Sequence, residues 1–362
     1  AACLAAGDRV RGANERINIA LIGCGGRGNF VARGMIENGA RLACLCDLHP
    51  ARLQRAAKFL ADVQKEKPAT VTEMKKVFDD KDIDAVIIAT PDHWHAPATV
   101  AACRAGKDVY VEKPHSHCIW ESVKMMEAGK KYKRVVQVGT QNRSAPYVRE
   151  ALEYVKGGKL GKISLVRVYN MKPGSPFHLG KPGTCPEGFD WDTWVGRAAA
   201  RPYHERIFRH GWLYLWDFSG GDMAGDGIHQ LDIALMLMGD PPHPRSVRAL
   251  GGRYAHRGDD GECPDVEMAS WDYGDFVMTM EHTSYPRYMR KTTQTIRRND
   301  VLPYWSHNAT RIELYGKDLM MTLGRHGGGW IVQQPGGKAI ETHYGRVPDQ
   351  PHYRNFLECI KT

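Results

Sequence analysis

The chain of 362 residues is long enough for two domains with separate hydrophobic cores. Hydrophobic residues make up 42% and charged residues 25%, as in ordinary globular proteins, and no apolar run approaches the ~20 residues that span a bilayer, which excludes membrane insertion. The formal charge of +9 is spread along the chain without a nucleic-acid-binding motif. These features exclude nucleic acid as the partner and favour a surface that attracts small anionic ligands.

Two features bear on the cellular compartment and point in opposite directions. The nine cysteines form no Cys-x-x-Cys pair and no zinc-finger spacing, which is typical of buried free thiols in a reducing compartment. Residues 1–7 are small and apolar, like the tail of an export segment. We favour a periplasmic or exported location, with the cytoplasm as the alternative.

The most informative stretch is an apolar run at residues 17–22 that leads into Gly23-x-Gly25-x-x-Gly28, followed by a helical pattern over residues 29–38. This context is typical of a dinucleotide-binding loop. Gly23 permits a tight turn, Gly25 lets the backbone approach a pyrophosphate, and Gly28 allows close packing of helix and strand. The helix N-terminus would then face the phosphates.

The next predicted strand, residues 41–46, ends in Asp47. An acidic side chain about 20 residues after the glycine loop accepts hydrogen bonds from the ribose hydroxyls of a dinucleotide. Because a carboxylate repels a 2′-phosphate, Asp47 favours NAD over NADP.

Three further predicted strands, residues 84–89, 107–111 and 135–138, alternate with helical patterns over 96–105 and 120–132. Strands separated by helices predict a doubly wound parallel sheet. Each strand ends in a polar segment, and ligands of such sheets bind beyond the carboxyl ends of the strands. The polar segments are residues 90–95, 112–114 and 140–143.

The pattern changes after residue 158. An alternating stretch at 162–169, an aromatic-rich segment and a helix near 230–238 precede a series of short strand-like runs, which predicts an α+β domain with a mostly antiparallel sheet. We therefore divide the chain into an N-terminal extension (1–16), an NAD-binding Rossmann domain (17–144) and an α+β domain for substrate binding and oligomerisation (145–362). The runs lie at 246–254, 265–273, 276–285, 311–315, 319–323 and 330–333.

The order of several motifs resembles that of the Gfo/Idh/MocA family, named for glucose–fructose oxidoreductase and inositol dehydrogenase. The resemblance implies a Rossmann domain followed by an α/β domain with an open antiparallel sheet, and dimers or tetramers formed through that sheet. It also implies NAD(P)-dependent redox chemistry on sugars, cyclitols or their derivatives. The motifs are the glycine loop, residues 90–95, Glu-Lys-Pro at 112–114, residues 137–143, residues 189–196 and Gly-Ile-His-Gln-Leu-Asp at 227–232.

The resemblance also implies site residues. Lys113 of the Glu-Lys-Pro motif corresponds to the lysine that reaches the substrate hydroxyl beside the nicotinamide, and His229 to the histidine that acts as acid or base. Many members carry an aspartate four residues before this histidine, but position 225 is Gly here and the nearest acid is Asp226. We expect Lys113 and His229 to act as a catalytic pair, with Asp226 as a third candidate.

The remaining expected contacts fall into two sets. Substrate contacts are expected from Lys113, Arg143, Tyr203, His210, Asp226 and His229. NAD contacts are expected from Gly23, Gly25, Gly26, Arg27, Gly28, Asp47, Thr90, Pro91, His93, His95, Glu112, Lys113 and Gln141.

Two pairs of histidines raise the question of a metal site. His93 and His95, and likewise His115 and His117, have a spacing that suits zinc, but the pairs lie on different loops without an acidic or cysteine partner at helical spacing. No metal is predicted.

Hydride transfer between a sugar, glycoside or cyclitol carbon and NAD is therefore the expected activity. Some branches of the family act as redox-neutral glycosidases, and the aromatic-rich segment with Trp191 and Trp194 suits a glycoside, so this alternative stays open. A non-catalytic protein that binds the dinucleotide is a third possibility, which the presence of Lys113 and His229 disfavours. Residues 352–362 look like the start of a helix, and the resemblance implies that the chain commonly continues beyond such a segment and packs back on the first domain.

Overall fold

The computed structural model describes residues 16–347 and 349–362. The export prediction rests on residues 1–7 and lies outside the described residues, so it stays a prediction. Within the described part of the chain, no helix is long and apolar enough to cross a membrane.

The first domain is a six-stranded parallel sheet in the order β3-β2-β1-β4-β5-β6, with helices on both faces. The predicted doubly wound sheet is confirmed. Its central strands read as continuous apolar runs because both faces of the sheet are buried. The strands are β1 (Asn18–Ile22), β2 (Arg41–Cys46), β3 (Ala69–Val71), β4 (Ala85–Ile88), β5 (Asp108–Val111) and β6 (Val136–Val138). The helices are α1 (Gly26–Glu37), α2 (Pro50–Gln64), α3 (Met74–Asp79), α4 (His95–Arg104) and α5 (Ile119–Tyr132).

The second domain is built on an eight-stranded sheet in the order β14-β13-β12-β11-β7-β10-β9-β8. Only the β7–β10 pair is parallel among these strands, so the predicted, mostly antiparallel sheet is confirmed. The strands are β7 (Ile163–Met171), β8 (Ser246–Gly252), β9 (Val266–Asp272), β10 (Val277–Thr283), β11 (Arg311–Gly316), β12 (Met320–Gly324), β13 (Trp330–Gln333) and β14 (Ala339–His343).

Two helices, α6 and α10, cover one face of this sheet and form its core through residues such as Tyr154 and Ile233. Three shorter helices, α7 to α9, lie in the connection between β7 and α10, which carries the aromatic-rich segment, and α11 follows β10. The helices of this domain are α6 (Pro146–Lys156), α7 (Trp191–Val195), α8 (Glu205–Arg209), α9 (Gly221–Gly225), α10 (Ile228–Leu237) and α11 (Gln294–Arg298).

The last helix, α12 (Asp349–Lys361), returns to the first domain, where Tyr353 and Phe356 join the core between the sheet and α1. A Cβ added at Gly34 of α1 would lie 2.4 Å from the Tyr353 ring, so this contact needs glycine on the helix. The helix predicted from residue 352 is present and begins at Asp349. Although the sequence-based division placed it in the second domain, it completes the core of the first.

Candidate active site

The glycine loop has the geometry of a phosphate-binding turn. Gly23 has φ +93°, which side chains rarely adopt, and a Cβ on Gly28 would lie 2.1 Å from the Gly23 carbonyl oxygen. In contrast, a Cβ on Gly25 or Gly26 would meet nothing within 4 Å, so the backbone there faces open space. The loop forms the first turn of α1, which therefore begins at Gly26, three residues before the predicted start, without a side-chain cap. Its free N–H groups suit a pyrophosphate.

Asp47 lies at the carboxyl end of β2 beside this loop. Its Oδ2 accepts a hydrogen bond from the Cys24 N–H at 2.7 Å, and its Oδ1 accepts one from the His49 N–H at 2.8 Å. Burial raises the pKa of this carboxyl, and the two N–H donors and Arg52 oppose that rise. The carboxylate holds the turn in place and keeps lone pairs for ribose hydroxyls.

A groove of about 1160 Å³ runs along the carboxyl edge of the parallel sheet. The glycine loop, Asp47, Thr90 and Pro91 line one side, and the aromatic-rich segment of the second domain lines the other. The His49 ring stacks on Phe208 at 5.1 Å between centroids, which joins the two sides. The size and the free loop N–H groups fit a dinucleotide.

His93 and His95 hold loops together instead of lining this groove. The Nε2 atom of His93 lies 3.0 Å from the Trp194 carbonyl oxygen, and burial lowers the pKa of this histidine to about 4. His95 is fully buried, with Nδ1 2.6 Å from the Pro114 carbonyl and Nε2 2.8 Å from the Thr90 carbonyl. The structure thus gives both residues a different place from the expected cofactor contact.

Glu112 and Gln141 support the glycine loop from the protein side. The buried Glu112 carboxylate accepts a hydrogen bond from Arg27 Nε at 2.7 Å and one from Gln141 Nε2 at 3.3 Å. Gln141 also donates to the Tyr110 hydroxyl at 2.9 Å. Of these residues, Arg27 lines the groove, whereas Glu112 and Gln141 fix its position from behind.

Lys113 connects the two domains at the end of β5. Its Nζ donates a hydrogen bond to the Gly225 carbonyl at 2.7 Å, immediately before Asp226 and the start of α10. Two motifs 112 residues apart therefore meet at one point. His229 lies on the first turn of α10 and is 5% exposed, and its Nδ1 has no hydrogen-bond partner among the described residues.

His229 is a neutral imidazole. Burial lowers its pKa well below the usual range, and the nearby cations Arg325 and Lys113 lower it further. A neutral imidazole can accept a proton from a substrate hydroxyl.

Asp226 does not have the environment of a proton donor or acceptor. Its carboxylate is paired with Arg325 Nη1 at 2.8 Å, Lys172 Nζ at 3.1 Å and Lys291 Nζ at 2.5 Å. Burial alone would raise its pKa, but the three cations outweigh burial and hold the pKa well below its usual range. Asp226 is therefore a carboxylate held by three cations, and the catalytic role expected for it from the sequence stays a prediction.

The cations around Asp226 were missed by sequence reasoning. Lys172 directly follows β7 and Arg325 directly follows β12, two strands that run in the same direction because each is antiparallel to β11. Lys291 follows β10, which is parallel to β7. A search for basic residues directly after strands of like direction would have grouped Lys172 with Arg325 but not Lys291, because β10 already ends at Thr283.

The other expected substrate contacts lie away from Lys113 and His229. Arg143 is held by ion pairs with Asp232, at 2.6 Å, and with Asp240. Tyr203 is buried edge-on against Trp191 at 5.2 Å. His210 is exposed and lines the groove near the Asp47 end with Tyr203. Arg143 is therefore a structural tie, and the other two face the cofactor groove.

The second histidine pair also has protein partners. His115 Nε2 lies 3.0 Å from Ser122 Oγ, and His117 Nε2 lies 2.7 Å from the Trp216 carbonyl. In residues 16–347 and 349–362, no three His, Cys, Asp or Glu side chains converge as metal ligands would.

Two family models match the chain. Residues 17–140 match the NAD-binding Rossmann fold of the Gfo/Idh/MocA oxidoreductases, and residues 176–272 match the C-terminal alpha/beta domain of the same family. The chain belongs to the Gfo/Idh/MocA oxidoreductase family. NAD is therefore the cofactor, and the groove beside the glycine loop and Asp47 is the place where we expect it to bind.

Curated relatives of this family member include sugar and cyclitol enzymes. It is 30% identical over 165 residues to scyllo-inositol 2-dehydrogenase (NAD(+)) of Bacillus subtilis strain 168, which is 45% of this chain and 46% of that protein. It is 30% identical over 157 residues to glycosyl hydrolase family 109 protein 1 of Shewanella sp. strain MR-4, covering 41% and 34% of the two chains. The matched part thus spans less than half the length of either relative.

Solved structures share the fold over nearly the whole chain. Levoglucosan dehydrogenase in complex with NADH and levoglucosan superposes with a TM-score of 0.67, over 96% of this chain and 90% of that one. The sequence identity is 18%, so this likeness establishes the architecture of the two domains.

Two glycine substitutions separate folding from cofactor binding. Gly28→Ala places a methyl group against the backbone of Gly23 and is expected to destabilise the protein by about 1–3 kcal/mol. Gly25→Ala points into open space, so we expect an unchanged melting temperature without NAD but about tenfold weaker NAD binding. Thermal melts and NAD titration check both. Equal melting temperatures for the two variants would contradict the packing described for Gly28.

Asp92 provides a test of pH-dependent stability. It is 1% exposed, accepts a hydrogen bond from Ser219 Oγ at 2.8 Å, and has a pKa raised by burial from 3.8 to about 7. As pH rises from 3.8 to about 7, the unfolded chain loses this proton before the folded protein does, so the wild type loses stability. Asp92→Asn keeps an acceptor for Ser219 but has no proton to lose. Its free energy of unfolding relative to wild type should therefore be higher at about pH 8 than near pH 5, by up to about 2–3 kcal/mol.

Melting curves of Asp92→Asn and wild type at the two pH values measure this difference. Asp62→Asn, at an exposed position of α2, is the matched control and should show none. A gain that is the same at both pH values would show that Asp92 is ionised throughout.

Proposed function

We propose that the protein is an NAD-dependent oxidoreductase that transfers a hydride between a hydroxyl-bearing carbon of a sugar or cyclitol and the nicotinamide. The contact of Lys113 Nζ with the Gly225 carbonyl supports this most directly, since it brings Lys113 and the His229 helix together beyond the parallel strands. The groove from the glycine loop follows the same edge of the sheet. The inositol dehydrogenase relative supports the substrate class.

The residues divide the work as follows. NAD, when bound, accepts the hydride at C4 of its ring. The Lys113 ammonium donates a hydrogen bond to the substrate hydroxyl oxygen and stabilises the developing charge on it. His229, kept neutral by burial and by nearby cations, accepts the hydroxyl proton while the C–H bonding pair leaves as the hydride and the C–O bond becomes a carbonyl. Asp226 fixes the turn whose main-chain carbonyls accept hydrogen bonds from Lys113 Nζ and from the His229 N–H.

A redox-neutral glycosidase is the second candidate. The relatives of glycosyl hydrolase family 109 support it, and the aromatic-rich segment supplies ring faces that suit a glycoside. In this scheme the hydride taken from a sugar carbon returns to the product after the aglycone has been eliminated.

One assay with two readouts tests both proposals. The protein is incubated with NAD and a panel of cyclitols, free sugars and aryl glycosides, and both NADH and released aglycone are followed. Accumulation of NADH without bond cleavage supports the dehydrogenase and contradicts the glycosidase. Aglycone release that requires NAD but produces no net NADH supports the glycosidase and contradicts the dehydrogenase. NAD binding with no product of either kind from the whole panel would contradict both and favour a non-catalytic role.

We also propose that the second sheet forms a homodimer or homotetramer. Leu250 and Met268 are neighbours across the β8–β9 pair and are 66% and 48% exposed, so they offer an apolar surface on the sheet. Light scattering is expected to give a mass of two or four chains, and Leu250→Glu is expected to reduce it. A monomer at micromolar concentration would contradict the proposal.

A further inference from the structure

The cluster around Asp226 carries more positive than negative charge. Lys172, Lys291 and Arg325 contact the Asp226 carboxylate directly, and Asp222 contacts Lys172. Arg297 adds a further cation: burial and the nearby Arg325 lower its pKa, whereas Asp226 and Asp349 oppose that change, so Asp349 balances part of its charge. A further acid, Glu267, lies next to Asp222 and has a pKa raised by burial to about 7, so near neutral pH it contributes only part of a charge.

Two observations show that the positive charge lacks full compensation. Arg325 is 3% exposed, and its Nε atom has no hydrogen-bond partner among the described residues. Burial, with Lys172 and Arg325 beside it, lowers the pKa of Lys291 to about 8 despite the adjacent Asp226. If these cations served only to hold Asp226, the protein would be more stable with fewer of them, because buried like charges repel one another.

The cluster is open to a ligand and adjoins the proposed reaction centre. The Lys291 side chain is 33% exposed, whereas that of Asp226 is 13% exposed. The main-chain carbonyl of Asp226 accepts hydrogen bonds from Arg325 Nη1 and from the His229 N–H, both at 3.3 Å. Lys113 Nζ binds the preceding carbonyl, that of Gly225. Lys291, the His229 N–H and Lys113 Nζ therefore all contact one short segment of the chain, Gly225 and Asp226.

We propose that the substrate is an anionic sugar, and that Lys291, backed by Arg325 and Arg297, binds its negatively charged substituent. A carboxylate or a phosphate would neutralise the excess charge, whereas a neutral sugar leaves the cations unpaired. This inference rests on the proposed function and narrows its substrate class to sugars that carry an acidic group.

The experiment compares each hexose with its uronic acid and its phosphate ester: glucose, glucuronate and glucose 6-phosphate, and the galactose series. Turnover is measured as kcat/KM from NADH formation, and binding to the protein saturated with NAD is measured separately by calorimetry. We expect one anionic member of a series to be preferred at least about tenfold in binding and in kcat/KM, and the preference to fall as salt is added. If the uronic acid is preferred, the bound anion is a carboxylate, and if the phosphate ester is preferred, it is a phosphate.

Substitution of Lys291 tests the assignment of the contact. Lys291→Met should weaken binding of the anionic sugar about tenfold more than binding of the neutral hexose. Lys338→Met, at an exposed lysine in the turn between β13 and β14, should leave both unchanged. Equal loss for both ligands, or wild-type binding without preference for any anionic sugar, overturns the inference.

The two proposals fail in different ways. Preferred binding of an anionic sugar without NADH formation or bond cleavage would support the inference and contradict the proposed function. NADH formation from neutral and anionic sugars at equal kcat/KM would support the function and contradict the inference.

Discussion

Lys113→Met is expected to lower kcat by about 10²–10⁴-fold while NAD binding stays within about twofold of the wild type. The substitution keeps a side chain of similar length but removes the ammonium, and with it the hydrogen bond to Gly225 and the charge that would stabilise the substrate oxygen. The glycine loop and Asp47 are the expected NAD-binding elements, and they hydrogen-bond with each other, whereas Lys113 Nζ donates to the Gly225 carbonyl. Steady-state kinetics on the best substrate of the panel and NAD titration measure the two effects.

The matched control is Lys131→Met, at an exposed lysine on α5, which should retain wild-type kinetics. A Lys113→Met enzyme with at least half of the wild-type kcat would contradict the role given to Lys113. If the variant lost both NAD binding and kcat, Lys113 would instead be needed to maintain the NAD-binding groove.

Asp226→Asn is expected to destabilise the protein by about 3–5 kcal/mol, because it leaves three cations around a neutral side chain. Asp222→Asn is the matched comparison, since Asp222 pairs with Lys172 alone among the described cations and is more exposed. Its expected cost is below about 1 kcal/mol. Thermal or urea unfolding of both variants gives the comparison.

The two possible roles of Asp226 make different predictions for the same variant. If Asp226 transferred a proton, Asp226→Asn would lose kcat with little change in unfolding free energy. The pairing with Lys172, Lys291 and Arg325 predicts instead that Asp226→Asn lowers the free energy of unfolding, whatever its effect on kcat. A fully stable but inactive Asp226→Asn protein would restore the catalytic role expected from the sequence.

The parallel sheet was the most predictable part of the fold. Strand β4 is buried on both faces and reads as an unbroken apolar run, and the glycine spacing after β1 has a steric cause that the structure shows directly. Strand β3 and strand β14 were not predicted. Both are short and mostly exposed, so their side chains carry no strong hydrophobic pattern.

The structure brings together expected site residues that belong to sequence motifs. Lys113 and His229 each belong to such a motif, and the structure joins them through Gly225. Lys172, Lys291 and Arg325 are isolated in sequence and converge only because β7, β10 and β12 run in one direction. The ion-pair partners of Arg143, Asp232 and Asp240, could not be predicted because they are distant from it in sequence.

We propose that a hydride passes between a sugar carbon and NAD where Lys113 meets the turn that precedes His229. The most direct measurement uses sugars deuterated at carbon, incubated with the protein and NAD, and mass spectrometry of the recovered cofactor and sugar. The account predicts deuterium on the nicotinamide, in accumulated NADH or in NAD exchanged during turnover, and its loss in Lys113→Met. Conversion of a sugar with an unlabelled cofactor throughout would contradict it.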